Sequence, residues 1–316
     1  MKDHKKTIIT LFIFGIILTS SLFIGCIENR ESIVVNNQKR TFLIHIPSSY
    51  ESETPVPLVI VLHGGGGNAQ NIEDVTGFTI KSEEEGFIVV YPDGTGKLDY
   101  RLLTWNAGFC CGYALENQID DVAYIRYLIK HLQSLYSIDS NKIYVTGISN
   151  GGMMTYRIAS ELSDLIAAAA PIAGSIGGQP REQEKIWRIP KPVNPVSIIS
   201  FHGMNDTRVP YYGGRPIENN TKGAYSYISV NESISFWIYH NNCTYVPITN
   251  ISESGNIIVK TYKEGINHTE TVLYTIVNGN HSWPGGKKGY RKGDEPIEEI
   301  SATDIIWEFF KDHPKT

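Results

Sequence analysis

The pentapeptide Gly147-Ile148-Ser149-Asn150-Gly151 constrains this chain more than any other stretch, because it joins an apolar run, Ile143 to Thr146, to a helical pattern that opens near Gly152. A strand, a tight turn and a helix around G-x-S-x-G form the frame of a nucleophile elbow. In that frame a serine is thrust out on a strained backbone and small neighbours leave its hydroxyl exposed. Taken alone, the pentapeptide reads equally well as a glycine-rich turn after a strand. The residues before and after it decide between the two.

A serine hydroxyl is a poor nucleophile at neutral pH unless a histidine takes its proton and an acid holds that imidazole in the useful tautomer. The chain order Ser, acid, His is one that a strand-turn-helix elbow uses. Downstream of Ser149, the apolar run Val196 to Phe201 ends in His202-Gly203-Met204-Asn205-Asp206, so Asp206 is the expected acid. Further on, Thr271 to Val277 leads into Asn278-Gly279-Asn280-His281-Ser282-Trp283-Pro284-Gly285, and His281 is the expected base. Singly, Asp206 would read as a turn residue bonded to its own backbone and His281 as a surface histidine. All three at strand ends in the required order make the catalytic reading the stronger one. His63 and His202, each before a glycine at a strand end, read as structural residues beneath the site, and the other histidines have no catalytic setting.

The oxyanion donors are expected from Leu62-His63-Gly64-Gly65-Gly66-Gly67, where glycines let backbone N–H groups approach a substrate oxygen. One donor is assigned to the N–H of Asn150 and the other to Gly65, with Gly64 as the near alternative. A phosphate-binding loop is disfavoured, since no Lys followed by Ser or Thr completes a G-x-x-x-x-G-K-[ST] pattern.

These motifs, with Thr104-Trp105-Asn106-Ala107-Gly108-Phe109-Cys110-Cys111-Gly112, Asp120-Asp121-Val122 and His281-Ser282-Trp283-Pro284-Gly285, resemble the secreted poly(3-hydroxybutyrate) depolymerase-like esterases over roughly residues 39 to 310. That group of α/β-hydrolases also includes feruloyl and acetyl xylan esterases. The resemblance implies an α/β-hydrolase fold, a serine esterase activity with no cofactor and no metal, and a triad on Ser149, Asp206 and His281. It leaves the acyl and alcohol groups open, because related members take polyester, aromatic acids esterified to plant polysaccharide, and small esters. Asn278 and Asn280 depart from the glycines that the family often has around the histidine loop.

Trp105 and Trp283 are candidates for shaping the substrate site, since a rigid aromatic face can stack on a sugar or phenyl ring; packing of loops over the sheet is the competing reading. A reading from another class makes the chain a catalytically inactive surface carbohydrate-binding protein with these two tryptophans as platforms. The intact Ser149, Asp206 and His281 argue against it. Asp120 and Asp121 open a helix with Val122, Ile125, Ile129, Leu132 and Leu135 at helical spacing, and read as first-turn acids rather than as a metal or glycosidase pair.

Residues 1–25 carry Lys2, Lys5 and Lys6 before a long apolar stretch that ends at Gly25-Cys26, an export signal with a lipoprotein-like processing site. Cleavage would make Cys26 the lipid-bearing amino terminus; an uncleaved anchor is the alternative. Either places the enzyme outside the cytosol, at the cell surface or beyond, and in contact with membrane only through that lipid or anchor. The net charge of −5 becomes −7 once Lys2, Lys5, Lys6 and Asp3 leave with the signal, which disfavours nucleic acid as a partner. Export permits disulfides, and one of Cys110 and Cys111 is expected to bond Cys243; a bond within the adjacent pair is the strained alternative. Sequons occur at Asn219, Asn231, Asn242, Asn250 and Asn267, and those at Asn205 and Asn280 are expected to stay bare because a glycan there would block the site.

The expected organisation is a short tether over 26–38 and one catalytic domain over 39–316, a monomer with no large lid and no second module. Strands are predicted at 41–47, 57–62, 87–91, 143–147, 168–173, 196–202 and 271–277, and helices at 69–85, 117–136, 150–162, 228–240 and 300–311. Strands alternating with helices imply a mainly parallel sheet covered on both faces. The stretches 176–195, 207–227 and 244–268 are expected to be loops or hairpins rimming the pocket.

Overall fold

Val56–Leu62 and Ile88–Pro92 read as unbroken apolar runs rather than alternating ones, the pattern of strands covered on both faces. In the computed structural model, which describes residues 30–181, 184–216 and 225–316, these runs are the centre of a sheet. The export signal, Cys26 and the sequon at Asn219 lie outside the described residues. Along the chain the strands are β1 (Glu31–Val35), β2 (Gln38–His45), β3 (Val56–Leu62), β4 (Ile88–Pro92), β5 (Ile138–Ile148), β6 (Ala168–Ile172), β7 (Gly177–Gln179), β8 (Trp187–Arg188), β9 (Ser197–Gly203), β10 (Ser226–Tyr227), β11 (Ile248–Ile251), β12 (Ile257–Tyr262) and β13 (Thr271–Ile276). The helices are α1 (Ala69–Thr76), α2 (Phe78–Glu85), α3 (Gly112–Glu116), α4 (Asp121–Leu135), α5 (Asn150–Glu161), α6 (Val230–Asn241) and α7 (Ala302–Asp312).

Among the described residues, ten strands form one sheet in the order β1-β2-β4-β3-β5-β6-β9-β13-β12-β11. The run from β4 to β13 is parallel, and the two outer strands at each edge are antiparallel. Alternate residues of each central strand feed opposite cores. Leu58, Ile60 and Leu62 pack with Ile125, Ile129 and Leu132 of α4 and Met154 and Ile158 of α5. Val59 and Val61 pack with Ile72 of α1, Phe78 of α2 and Ile306 and Phe310 of α7.

Several boundaries differ from the predicted ones for local reasons. The predicted helix 69–85 is two, because Gly77 takes φ 69°, the left-handed conformation that ends α1 and admits a new helix. The predicted helix 117–136 starts at Asp121, since the Asp120 side chain caps it by accepting the Ala123 N–H at 2.9 Å. Residues 31–35, assigned to the tether, instead form β1, paired antiparallel with β2. The stretch 244–268 supplies β11 and β12, which extend the sheet, and β7, β8 and β10 make a small separate sheet.

The expected disulfide to Cys243 does not form. Cys110 and Cys111 are bonded to each other, and Cys243 is a buried free thiol. The reason is placement: Cys243 follows α6 and packs with Val230, Ile234, Ile238 and Leu273, whereas Cys110 belongs to a cluster with Ala107, Phe109, Met153 and Val209.

Candidate active site

The strand order reverses between β3 and β5, since the chain leaves β3 toward β4 and returns across it to β5. In open α/β sheets a crevice for ligands opens at such a point, beyond the carboxyl ends of the strands. Here those ends carry the Gly64–Gly67 loop and Ser149, and both line a cavity of about 650 Å³ with His281.

Ser149 sits between β5 and α5 at φ 59° and ψ −124°, a conformation that costs on the order of 1–3 kcal/mol for a non-glycine residue. Its carbonyl accepts the Met153 N–H at 2.8 Å and its N–H donates to Ile172 O at 2.9 Å, so the turn is held from both sides. The flanking glycines are steric necessities. A Cβ on Gly151 would lie 2.5 Å from the carbonyl oxygens of Leu62 and His63, and one on Gly147 2.8 Å from Leu62 O.

Asp206 lies in the turn after β9. Its Oδ1 accepts the N–H groups of Arg208 (2.9 Å) and Val209 (2.8 Å), and its Oδ2 lies 2.7 Å from His281 Nδ1. Burial works against the charge on Asp206, but the facing His281 and His202 outweigh it and hold the carboxyl well below the usual carboxylate range. An ionised Asp206 can only accept, so Nδ1 of His281 carries the proton and Nε2 is the nitrogen left to act as a base. The acid turn and the base loop are stitched together, Met204 N–H donating to Ile276 O (2.9 Å) and Asn205 N–H to Gly279 O (3.0 Å). His202, read as structural, lies beneath: Nε2 donates to Val209 O at 2.8 Å and stands 3.5 Å from Asp206 Oδ2.

Gly64 and Gly65 face the elbow, a Cβ on Gly64 meeting Ser149 Cβ at 3.5 Å and one on Gly65 meeting Asn150 Cβ at 3.5 Å. The Asn150 side chain is occupied elsewhere, accepting Trp105 N–H at 2.7 Å and donating to Trp105 O at 3.0 Å. Its backbone N–H opens α5 and has no carbonyl to meet within the helix. His63 Nδ1 donates to Gly64 O at 2.7 Å while Nε2 accepts Gly94 N–H at 2.9 Å. Both ring nitrogens are thus used by one neutral tautomer. Burial pushes the imidazole down to about 4 from an ordinary 6.5.

That shift has a sign. Between pH 6.5 and about 4 the unfolded chain binds a proton at His63 that the folded chain refuses, so stability falls as pH drops through this window and levels out below it. The loss expected from this one group is roughly 3 kcal/mol. Urea unfolding of wild type and His63→Gln at pH 7 and pH 4 checks it, and equal pH slopes in the two proteins would sink the assignment.

Of the two tryptophans, Trp105 departs from the expected role, whereas Trp283 stands in the cavity wall. Trp105 is fully buried, its Nε1–H donating to His63 O at 2.9 Å and its ring 4.9 Å from that of His63. It packs under the Gly64–Gly67 loop and offers no platform. Trp283 borders the cavity but is 1% exposed, packed edge-on against Phe78 and donating to Thr303 Oγ1 at 3.0 Å. The rim also differs from expectation. Ile72, Val75 and Leu102 provide an apolar side, and Arg208, Lys287, Tyr290 and Asp294 a polar one; among the described residues, none in the stretches 176–195 and 244–268 lines the cavity. Among the rim residues that sequence reasoning missed, only Arg208 carried a signal, as the cation two places after the acid.

A family model described as BD-FAE matches residues 44–165, which hold the glycine loop and the elbow but neither Asp206 nor His281. The structure overlays on acetyl xylan esterase from Aspergillus awamori with a TM-score of 0.59 at 18% identity, covering 89% of this chain and 98% of that one. The fold is that of the α/β-hydrolases. By sequence, the chain is 30% identical over 253 residues to feruloyl esterase B of Piromyces equi, covering 79% of this chain and 44% of that one. Over 131 residues it is 33% identical to poly(3-hydroxyalkanoate) depolymerase C of Paucimonas lemoignei, covering 41% of this chain and 30% of that one. The chain spans less than half the length of the first curated relatives it matches. The resemblance to the depolymerase-like and feruloyl esterase-like α/β-hydrolases, drawn from its motifs, therefore holds.

Proposed function

We propose that this α/β-hydrolase is an exported serine esterase that cleaves carboxylic esters through an acyl-enzyme, of the polyhydroxybutyrate depolymerase-like type. One observation carries the reading: a serine on a strained elbow and an imidazole bonded at 2.7 Å to a buried, ionised carboxylate border one cavity. Ser149 Oγ attacks the ester carbonyl while His281 Nε2 takes its proton, and Asp206 holds the imidazolium. The N–H groups of Asn150 and Gly65, with Gly64 as the alternative to Gly65, stabilise the oxyanion. His281 returns the proton to the leaving alcohol, and water then releases the acid by the same steps in reverse.

A feruloyl or acetyl xylan esterase acting on polysaccharide side chains is the second reading. The 253-residue match to a feruloyl esterase, against 131 residues to a depolymerase, favours keeping it. The carbohydrate-binding alternative loses ground because Trp105 and Trp283 are buried. We take residues 1–25 as the export signal, Cys26 as the lipid-bearing residue and 39–316 as the catalytic domain, now with β1 packed onto it from the tether. The protein would act at the cell surface as a monomer.

The test is hydrolysis by protein spanning Cys26–Thr316 of a nitrophenyl acetate, methyl ferulate and a hydroxybutyrate oligomer. The hydroxybutyrate oligomer is expected to be turned over fastest. Preference for methyl ferulate would move the protein to the second reading, and no turnover of any of the three would remove the esterase reading.

A further inference from the structure

No motif in the sequence marks residues 287–294, beyond the His281 loop, yet they close one side of the cavity with Lys287, Tyr290 and Asp294. Asp294 Oδ2 accepts the backbone N–H of His281 at 3.2 Å and lies 3.7 Å from Arg208 Nε. Arg208 belongs to the acid turn, where its own N–H donates to Asp206 Oδ1 at 2.9 Å. The guanidinium is held further by the Tyr290 hydroxyl, by the Tyr290 ring at 5.2 Å and by Lys292 O at 3.4 Å. A single carboxylate oxygen therefore joins the main chain of the expected base to the residue whose amide caps the expected acid.

We propose that Asp294, acting with Arg208, is a positioning residue that sets the His281 imidazole relative to Asp206 and Ser149. The proposal rests on the esterase reading. The His281 loop is fixed two residues earlier, where Gly279 O accepts Asn205 N–H, and two residues later by buried Trp283. Asp294 grips the main chain of His281, as Asp206 grips its ring. Its role follows from how steeply proton transfer depends on position, since a misplacement of about 1 Å can cost on the order of 100-fold in rate. Because Arg208 is already engaged by Asp294, Tyr290 and Lys292, it acts here as a strut between two loops and not as a free cation awaiting an anionic substrate.

The experiment uses protein spanning Cys26–Thr316 and nitrophenyl acetate as the probe. Asp294→Ala is expected to lower kcat by roughly 10- to 100-fold with KM changed by less than about threefold, because positioning acts on the chemical step. Asp294→Asn keeps an oxygen that can accept the His281 N–H and is expected to recover most of that loss. Adding Arg208→Gln to Asp294→Ala is expected to do little more than Asp294→Ala alone, since both break one connection. A wild type without Ser149-dependent turnover would remove the esterase reading and this inference together. An active wild type whose Asp294→Ala variant keeps kcat within about twofold, or loses only KM, would overturn the positioning role and leave the esterase standing. Asp294→Asn as inactive as Asp294→Ala would likewise overturn it, because the grip on His281 would not be what matters.

Discussion

Ser149→Ala is expected to lower kcat/KM for nitrophenyl acetate by about 10⁴- to 10⁶-fold while leaving the melting temperature within a few degrees of wild type. The size of the effect follows from covalent catalysis. Without Oγ there is no acyl-enzyme, and what remains is the oxyanion site and substrate binding acting on water, a small residue of the original acceleration. The fold should hold because alanine is smaller than serine and its Cβ already has room at φ 59°. The turn's main-chain bonds to Ile172 and Met153 do not involve the hydroxyl. His281→Ala should be almost as severe, and Asp206→Asn milder but still costly through loss of the imidazole's orientation. Steady-state kinetics with a melting curve on each variant checks this. An Ser149→Ala protein that keeps most of its turnover would place the nucleophile elsewhere.

Asp121→Ala is expected to destabilise the protein by about 3–5 kcal/mol, the cost of stranding one partner of a buried ion pair. Asp121 Oδ1 accepts Arg40 Nη2 at 2.7 Å and Oδ2 accepts the Asn106 N–H at 2.8 Å, with Asp121 fully buried and Arg40 3% exposed. Arg40 also stacks 3.9 Å over the Tyr124 ring and donates to Asp93 O at 3.2 Å. Removing the carboxylate leaves a guanidinium that cannot lose its proton and cannot reach water. For a domain of this size the melting temperature should fall on the order of 10 °C. Replacing both partners by apolar residues, Arg40→Met with Asp121→Leu, should restore much of the loss, since no charge is then stranded. The neighbour Asp120, which only caps α4, should cost about 1 kcal/mol as Asp120→Ala. A change below about 1 kcal/mol for Asp121→Ala would mean that Arg40 reaches solvent or another anion.

Those adjacent acids show where sequence reading stops. Both read as first-turn acids, yet Asp120 is the N-cap of α4 and only Asp121 stands in its first turn; the cap is still a local contact, made with a residue three positions away. The partner of Asp121 is 81 positions away, and no local pattern marks Arg40. The same division runs through the site. Ser149, Asp206 and His281 were nameable because each ends an apolar strand run in a small-residue turn. Asp294, 13 residues beyond His281 in an irregular stretch, carried no such mark. Trp105 misled because an aromatic near a motif looks the same in sequence whether it faces a cavity or fills the space beneath one.

By itself, the sequence determined the strands β2, β3, β4, β5, β6, β9 and β13, the helical stretches that hold α1, α2, α4, α5, α6 and α7, the parallel centre of the sheet and the three residues placed at its carboxyl edge. All of these follow from interactions among near neighbours: apolar periodicity, caps and the steric demands of glycine. Only the tertiary structure decided that Cys110 bonds Cys111 and not Cys243, that β1 belongs to the sheet, that Trp105 is buried, and that Arg208 and Asp294 tie the two loops. Each of these depends on which distant segments the sheet brings together. Distance along the chain hides such contacts, and packing two cores onto one twisted sheet creates them.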